Sequence, residues 1–276
     1  MNAVVLPYRM LRRFFRKLSW GLRWKWITGG ARQQSRSRKQ QQTLLTRSRR
    51  IFSWSWRIGL LLLAMDAFYL MLIWPDWSAF KHGPVARSEF IKLYQQQRKQ
   101  DRNLPPLQWR PVRMADISPH IQKAVIVAED ARFYTHSGFD VIALKDAMDH
   151  NIDKLEMKYG ASTISQQTVK NMFFSASRNP LRKWHELVFT ISMEFFVPKK
   201  RILETYLNIA EFGQGIFGVE AAARFYFGIS AEQLTLQQAT ELAASLPSPK
   251  KHNPKTRTRY FNRRAAKIQR HLDQYD

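Results

Sequence analysis

Apolar residues recur along most of this chain at the three-to-four residue spacing of helices. One stretch departs from that pattern by being apolar throughout. Ile58–Trp74 has seventeen residues and a single charge, Asp66. Seventeen is the short end of what crosses a bilayer, and Trp54, Trp56, Trp74 and Trp77 fall where interfacial aromatics belong. A carboxylate near the middle of such a span costs roughly 2.5–3.5 kcal/mol, which the surrounding Leu, Ile, Met and Phe outweigh by a small margin. A buried core helix is the alternative, but nothing upstream could bury it. No small-residue cleavage site follows, so the stretch reads as an uncleaved signal anchor. Arg47, Arg49, Arg50 and Arg57 precede it, whereas Asp76, Lys81, Arg87 and Glu89 after it are mixed in sign. That asymmetry puts the N-terminus in the cytoplasm and the rest outside.

Periodicity divides the remainder. Met10–Trp26 interleaves Leu11, Phe14, Phe15, Leu18, Leu22 and Trp26 with cations, as a helix lying on an anionic leaflet would, or as a plain basic tail would by composition. Residues 32–42, rich in Gln, Ser and Arg, read as a disordered tether. Past the span, residues 78–108 form a connector with one polar helix near 88–101, stopped at Pro105-Pro106. From 109 onward the signals are helical. Ser118 caps a helix with Pro119 at its first position and Ile121, Ala124, Val125 and Ala128 as its stripe. Thr163 and Gln166 form a capping box for a helix to about Asn171. Asn179-Pro180 opens the longest helix, with the stripe Leu181, Trp184, Leu187, Val188, Ile191 and Phe195. Further helices are expected over 200–210, 218–227, 235–246 and 256–274. Alternating strand patterns are scarce, so the fold class is all-α (mainly α). The division is a basic segment 1–50, an anchor 51–77, a connector 78–108 and a domain 109–276.

Charge sharpens this picture. The 276 residues carry a formal net charge of +24, which calls for an anionic partner: nucleic acid, anionic lipid or a phosphorylated substrate. Residues 1–50 hold fourteen Lys and Arg and no acid, leaving 31 basic against 21 acidic residues downstream. Much of the excess is therefore a basic head. The absence of cysteine excludes a disulfide framework and a Cys-ligated zinc site.

Four clusters carry candidate chemistry. In Glu129-Asp130-Ala131-Arg132-Phe133-Tyr134-Thr135-His136-Ser137-Gly138 an apolar helix ends at adjacent carboxylates. Desolvation and the Asp130 charge both disfavour ionised Glu129, moving its pKa toward that of a working general base; a carboxylate paired with Arg132 is the plainer alternative. In Gly160 to Asn171, Ser162, Thr163, Gln166, Gln167, Lys170 and Asn171 offer the hydroxyls, amides and ammonium that sugars and phosphates need, or simply a solvated helix start. In Arg178 to Glu186, Arg182 and Lys183 either clamp a diphosphate or pair with Glu186 one turn on. The fourth runs from 199 to 228 and includes Gly213-Gln214-Gly215-Ile216-Phe217-Gly218, which has the dinucleotide-binding spacing. The residues before it are helical rather than a strand, so the glycines are expected to make a tight turn between two helices. Ser248-Pro249-Lys250-Lys251 has the S-x-x-K spacing of penicillin-binding transpeptidases but too little chain beyond it. His185-Glu186 lacks the second histidine of a zinc site.

Together the clusters resemble the glycosyltransferase family 51 domain, found alone or in class A penicillin-binding proteins. E-D-x-x-F-x-x-H-x-G is met by Glu129 to Gly138, and G-x-S-T-[IL]-[ST]-Q-Q-x-x-K-N by Gly160 to Asn171. R-K-x-x-E is met by Arg182 to Glu186. A fourth motif matches Ile202-Leu203-Glu204 through Tyr206-Leu207-Asn208 to Gly218-Val219 and Ala222-Ala223, and a fifth Glu241-Leu242-Ala243 to Pro247 and Asn253-Pro254. With no transpeptidase domain, the chain resembles the monofunctional members; its long basic N-terminal segment is less typical of them.

The resemblance implies a lysozyme-like α fold with a second lobe touching the membrane. It also implies a lipid II acceptor and a growing lipid-linked glycan donor. Glu129 would then be the base that deprotonates the acceptor 4-hydroxyl, with inversion at the donor. Glu186 would act on the donor side, assisting the diphosphate with Lys170, Arg182, Lys183 or a divalent cation (Mg or Mn). Substrate contacts would extend to Asp130, Phe133, His136, Gly138, Ser162, Thr163, Gln166, Gln167 and Asn171. Partners would be the cytoplasmic membrane and other cell-wall synthesis or division proteins, with no nucleic acid. The competing expectations are a lysozyme-like lytic enzyme cutting existing glycan and a non-enzymatic membrane scaffold.

Overall fold

The computed structural model describes residues 46–145, 162–174 and 180–274. The Met10–Trp26 and 32–42 expectations, and Gly160, Ala161, Arg178 and Asn179 of the motifs, lie outside the described residues. The chain divides into two compact units between Trp74 and Pro75.

The first unit contains one long helix, α1 (Thr46–Leu72), whose 27 residues include a window apolar enough to cross a membrane, only 6% of it buried. At 1.5 Å per residue it is about 40 Å long. It begins well before Ile58, because no breaker separates the apolar run from Ile51, Phe52, Trp54 and Trp56. It stops short of Trp74, whose backbone the following Pro75 turns away from helical geometry.

In the second unit, α2 (Trp77–His82) is capped by the Asp76 side chain and α3 (Glu89–Gln100) by Ser88. Ser118 caps α4 (Pro119–Glu129), with Pro119 in the first turn, as expected. Thr163 and Gln166 form both halves of the capping box that starts α5 (Ile164–Phe173). α6 (Pro180–Phe196), α7 (Lys199–Ile209), α8 (Val219–Phe227), α9 (Leu236–Ser245) and α10 (Arg259–Asp273) follow. α4 packs on α9 and α10, and α5 on α6 and α7. Ile121, Ala124, Val125, Ile164, Val169, Ile202, Leu203 and Leu242 are fully buried among them. The site residues sit where these two packed groups come together, at the end of α4 and along α5.

The glycine-rich run is a hairpin rather than a bare turn. β2 (Glu211–Gly213) and β3 (Ile216–Phe217) are antiparallel, and β1 (Gln108–Trp109) adds to β3 in parallel, giving the order β1-β3-β2. These strands are two or three residues long, too short to show a period, which is why the sequence pattern missed them. Gly215 turns the hairpin with φ +77°, and a Cβ there would lie 2.5 Å from the Tyr94 hydroxyl. Asn208 fixes the segment between β1 and α4: its Oδ1 accepts from Val112 N at 2.8 Å and its Nδ2 donates to Val112 O at 2.8 Å.

The apolar stripe of α6 is only partly covered, with Leu187 and Val188 half-buried. Leu181, Trp184, Ile191 and Phe195 are exposed, Phe195 at 81%, while His185, Glu186, Phe189, Thr190 and Met193 are buried. A helical period identifies an apolar face but not what covers it. Here a mixed face of Phe189 and Met193 with His185, Glu186 and Thr190 turns inward, and the outer part of the apolar stripe is left open.

Candidate active site

Glu129 is the last residue of α4, and its side chain is 12% exposed. Its Oε2 accepts a hydrogen bond from Gln167 Nε2 at 3.0 Å, and its Oε1 one from Arg264 Nη2 at 2.7 Å. The Gln167 carbonyl is itself oriented by the hydroxyl of Tyr206, which donates at 3.2 Å. Three helices thus converge on one carboxylate: α5 with Gln167, α7 with Tyr206 and α10 with Arg264. Burial pushes the Glu129 carboxyl above the usual range; the Gln167 hydrogen bond and the Arg264 charge oppose that, and Asp130 adds to it. Tyr206, fully buried beside this negative charge, is pushed well above the ordinary phenol range.

Asp130 faces away from that cluster. Its Oδ1 lies 2.8 Å from His136 Nε2, and its Oδ2 accepts from the backbone N–H of Ile164 at 3.0 Å. His136 Nδ1 accepts from Gly138 N at 3.1 Å, so the proton sits on Nε2 and is donated to Asp130. Gly138 has φ +90° and passes close to Thr190, and its carbonyl accepts from the Thr163 hydroxyl at 2.7 Å. The first motif is therefore a strapped loop that holds the first turn of α5, with a carboxylate at the positive end of the helix dipole. Asp130, His136 and Asp140 bring donor atoms within 4.8 Å of one another. Every one is already used: both Asp140 oxygens accept from Arg132 at 2.8 Å, and its Oδ1 also from Ala143 N. Burial pushes the Asp140 carboxyl up, but these bonds more than offset it and hold it below the usual range. Each of these groups already has hydrogen-bond partners within the fold, so the triad serves as a structural clasp.

Phe133 is fully buried, with the Lys199 ammonium 4.4 Å over its ring. Lys199 pairs at 2.8 Å with Glu194, which also accepts from the Ser165 hydroxyl. Phe133 therefore anchors the loop from beneath and presents no surface to a ligand. Gln166 and Thr163 are engaged in the capping box, whereas Ser162 is exposed and Asn171 half-buried.

The second centre lies further along α5. Lys170 is three residues beyond Gln167, about 4.5 Å of axial rise. On α6, Glu186 is 3% exposed and paired with Arg182 Nη1 at 2.8 Å and Lys183 Nζ at 3.2 Å. Lys170 belongs to the same electrostatic group: desolvation pulls its ammonium below the usual range, Glu186 opposes that, and Arg182 and Lys183 add to it. Three cations around one carboxylate leave a surplus of positive charge. That surplus suits an anion, with Glu186 Oε2 accepting from Lys183 and Oε1 held only by the ion pair with Arg182.

The sequence clusters thus resolve into two centres, a buried acid at Glu129 and a basic group around Glu186, joined by α5. Arg264 was not among the expected site residues. The signal was present: Arg264 lies three residues after Phe261 and four before Ile268, both buried, so this arginine falls on the apolar face of α10.

The family described as transglycosylase matches residues 98–273 of the chain. A biosynthetic peptidoglycan transglycosylase of Nitrosospira multiformis is 37% identical over 215 residues, covering 78% of this chain and 94% of that protein. Proteins of the same name from Rhodospirillum centenum and Aeromonas hydrophila are 48% and 49% identical, covering 61% and 60% of this chain and 72% and 69% of theirs.

Proposed function

The chain belongs to the transglycosylase family, and from that premise we infer that it polymerises lipid II into peptidoglycan glycan strands with release of undecaprenyl diphosphate. The observation that carries the reading is the pair of centres that α5 joins, a desolvated carboxylate bonded to Gln167 and a cationic group that includes Lys170 one turn further on. Glycan polymerisation from a diphosphate donor needs those two parts. Glu129 takes the proton from the acceptor 4-hydroxyl as that oxygen attacks the donor anomeric carbon. The bond from that carbon to the diphosphate oxygen breaks, the electron pair leaves with the lipid diphosphate, and the configuration inverts. Lys170, Arg182 and Lys183 stabilise the charge on the departing diphosphate, and Glu186 holds the two α6 cations in place. Water-poor surroundings strengthen the first effect, since the Glu129 side chain is only 12% exposed.

The lipid carrier explains the rest of the chain. α1 is the anchor of a single-pass membrane protein, and the charges before and after it set the N-terminus in the cytoplasm and the catalytic unit in the periplasm, at the inner membrane. Segment 1–50 is then cytoplasmic, 51–77 the anchor, 78–108 a connector and 109–276 the transferase domain. The open apolar face of α6, with Leu181, Trp184, Ile191 and Phe195, is a large exposed patch on the helix that carries Arg182 and Lys183. Such a patch suits the acyl boundary of a bilayer, where a lipid-linked diphosphate resides.

The direct test is to give the purified full-length chain lipid II in detergent or vesicles. Glycan polymer and undecaprenyl diphosphate should both appear. Cleavage of preformed glycan without use of lipid II would replace this reading with a lytic one.

A further inference from the structure

Arg264 reaches Glu129 from the opposite end of the transferase unit, 135 residues along the chain. Its Nη2 donates both to Glu129 Oε1 at 2.7 Å and to the carbonyl of Ala128 at 3.1 Å, so one nitrogen grips the side chain and the helix end behind it. The guanidinium is a quarter exposed, and its Nε is buried without a partner among the described residues. Such a placement leaves a buried donor unmet, which a purely structural arginine seldom tolerates.

We propose that Arg264 is a positioning residue that keeps the base ionised and aimed, making the C-terminal helix part of the active site. The inference rests on Glu129 being the base. Four groups face that carboxylate. Asp130 follows it on its own element and is itself bonded to His136; Gln167 comes from α5, Tyr206 from α7 and Arg264 from α10. Gln167 is neutral, Tyr206 stays protonated, and Asp130 repels. Arg264 is thus the cation of the set, and a guanidinium keeps its charge at every working pH. Without it, burial and the Asp130 charge would act on Glu129 unopposed by any cation in this set, and its carboxyl would be pushed further up. The same pair resets the cycle. When Glu129 takes the acceptor proton, Arg264 loses its counterion, which drives that proton on to water and restores the carboxylate.

The test compares pH–rate profiles of lipid II polymerisation for the full-length wild type, Arg264→Gln, Arg264→Lys and Glu129→Gln. Arg264→Gln should move the acid limb of kcat upward by about one pH unit, with much of the lost rate recovered at alkaline pH. Arg264→Lys keeps the charge and should leave the limb in place while the plateau falls about tenfold through looser aim. A lower rate in Arg264→Gln with an unmoved limb, or the same shift in both variants, would overturn the proposal. If Arg264→Gln does not fold, the pH dependence of carbodiimide labelling at Glu129, in wild type and Arg264→Lys, reads the ionisation directly. A midpoint in the lysine variant well above that of the wild type would likewise count against it. Near-normal turnover by Glu129→Gln would remove the base assignment itself. Loss in that variant with an unmoved limb in Arg264→Gln would remove only this inference.

Discussion

Asp130 and Ile164 are joined by a single hydrogen bond, from the Ile164 backbone N–H to Asp130 Oδ2 at 3.0 Å, across 34 residues of chain. The bond connects the residue next to the proposed base to the first turn of the helix that carries Gln167 and Lys170. The other Asp130 oxygen is occupied by His136. Asp130→Ala would leave a buried N–H and a buried imidazole unsatisfied. It should cost about 2–4 kcal/mol of stability. Polymerisation should fall further than that loss explains, because α5 would no longer be held against the end of α4. A thermal melt beside initial rates at a temperature where the variant is folded separates the two; full activity there would show that the clasp matters only for folding.

Glu129→Gln should lose at least about 100-fold in kcat, the usual contribution of a general base, while its circular dichroism spectrum stays that of wild type. Stability supplies a second check. The folded pKa of Glu129 is raised above the unfolded value, so the folded state binds this proton more tightly. The charged form therefore costs stability above the folded pKa, and that cost disappears as pH falls below the unfolded one. The melting temperature of Glu129→Gln minus that of wild type should accordingly increase from pH 4 to pH 8. A difference that falls over that window would mean Arg264 and Gln167 outweigh the burial.

Most of the helical framework was legible because caps and periods are local. Ser118 with Pro119, and Thr163 with Gln166, fixed two helix starts to the residue. The hairpin at Gly213 to Phe217 was not, since its strands are too short to alternate and are set by pairing with Gln108 and Trp109. The α6 stripe shows the opposite limit: its period was real, but which part of it is covered depends on neighbours far along the chain. The site itself was half legible. Motif residues such as Glu129, Gln167 and Lys170 stand out by chemistry at close spacing, whereas Arg264 meets Glu129 only through tertiary packing.

The open face of α6 predicts a separation between binding and chemistry. Ile191→Glu with Phe195→Glu removes apolar surface that is exposed in the fold, at 54% and 81%, so stability should change by no more than about 0.5 kcal/mol per site. In anionic vesicles the doubly substituted protein should show an apparent KM for lipid II raised about tenfold, with kcat close to wild type. Equal KM values would mean that this face does not meet the lipid surface.

The basic centre makes an ordered prediction. Glu186 is nearly fully buried between Arg182 and Lys183, whose side chains are 20% and 64% exposed. Removing its charge takes away the ion pair that holds the inner cation, so Glu186→Gln should destabilise by about 1–3 kcal/mol, less than a wholly buried pair because water reaches Lys183. Lys183→Ala breaks an exposed contact and should cost at most about 0.5 kcal/mol. Activity should follow a different order. Arg182 pairs with the buried carboxylate at 2.8 Å and Lys170 stands on α5 one turn from Gln167, so Arg182→Ala and Lys170→Met should each lower kcat about 10- to 100-fold. Both should also weaken inhibition by added inorganic diphosphate, since the ligand these cations hold is an anion. Loss of rate with unchanged inhibition by diphosphate would place the leaving group elsewhere and reduce the cluster to a structural ion pair.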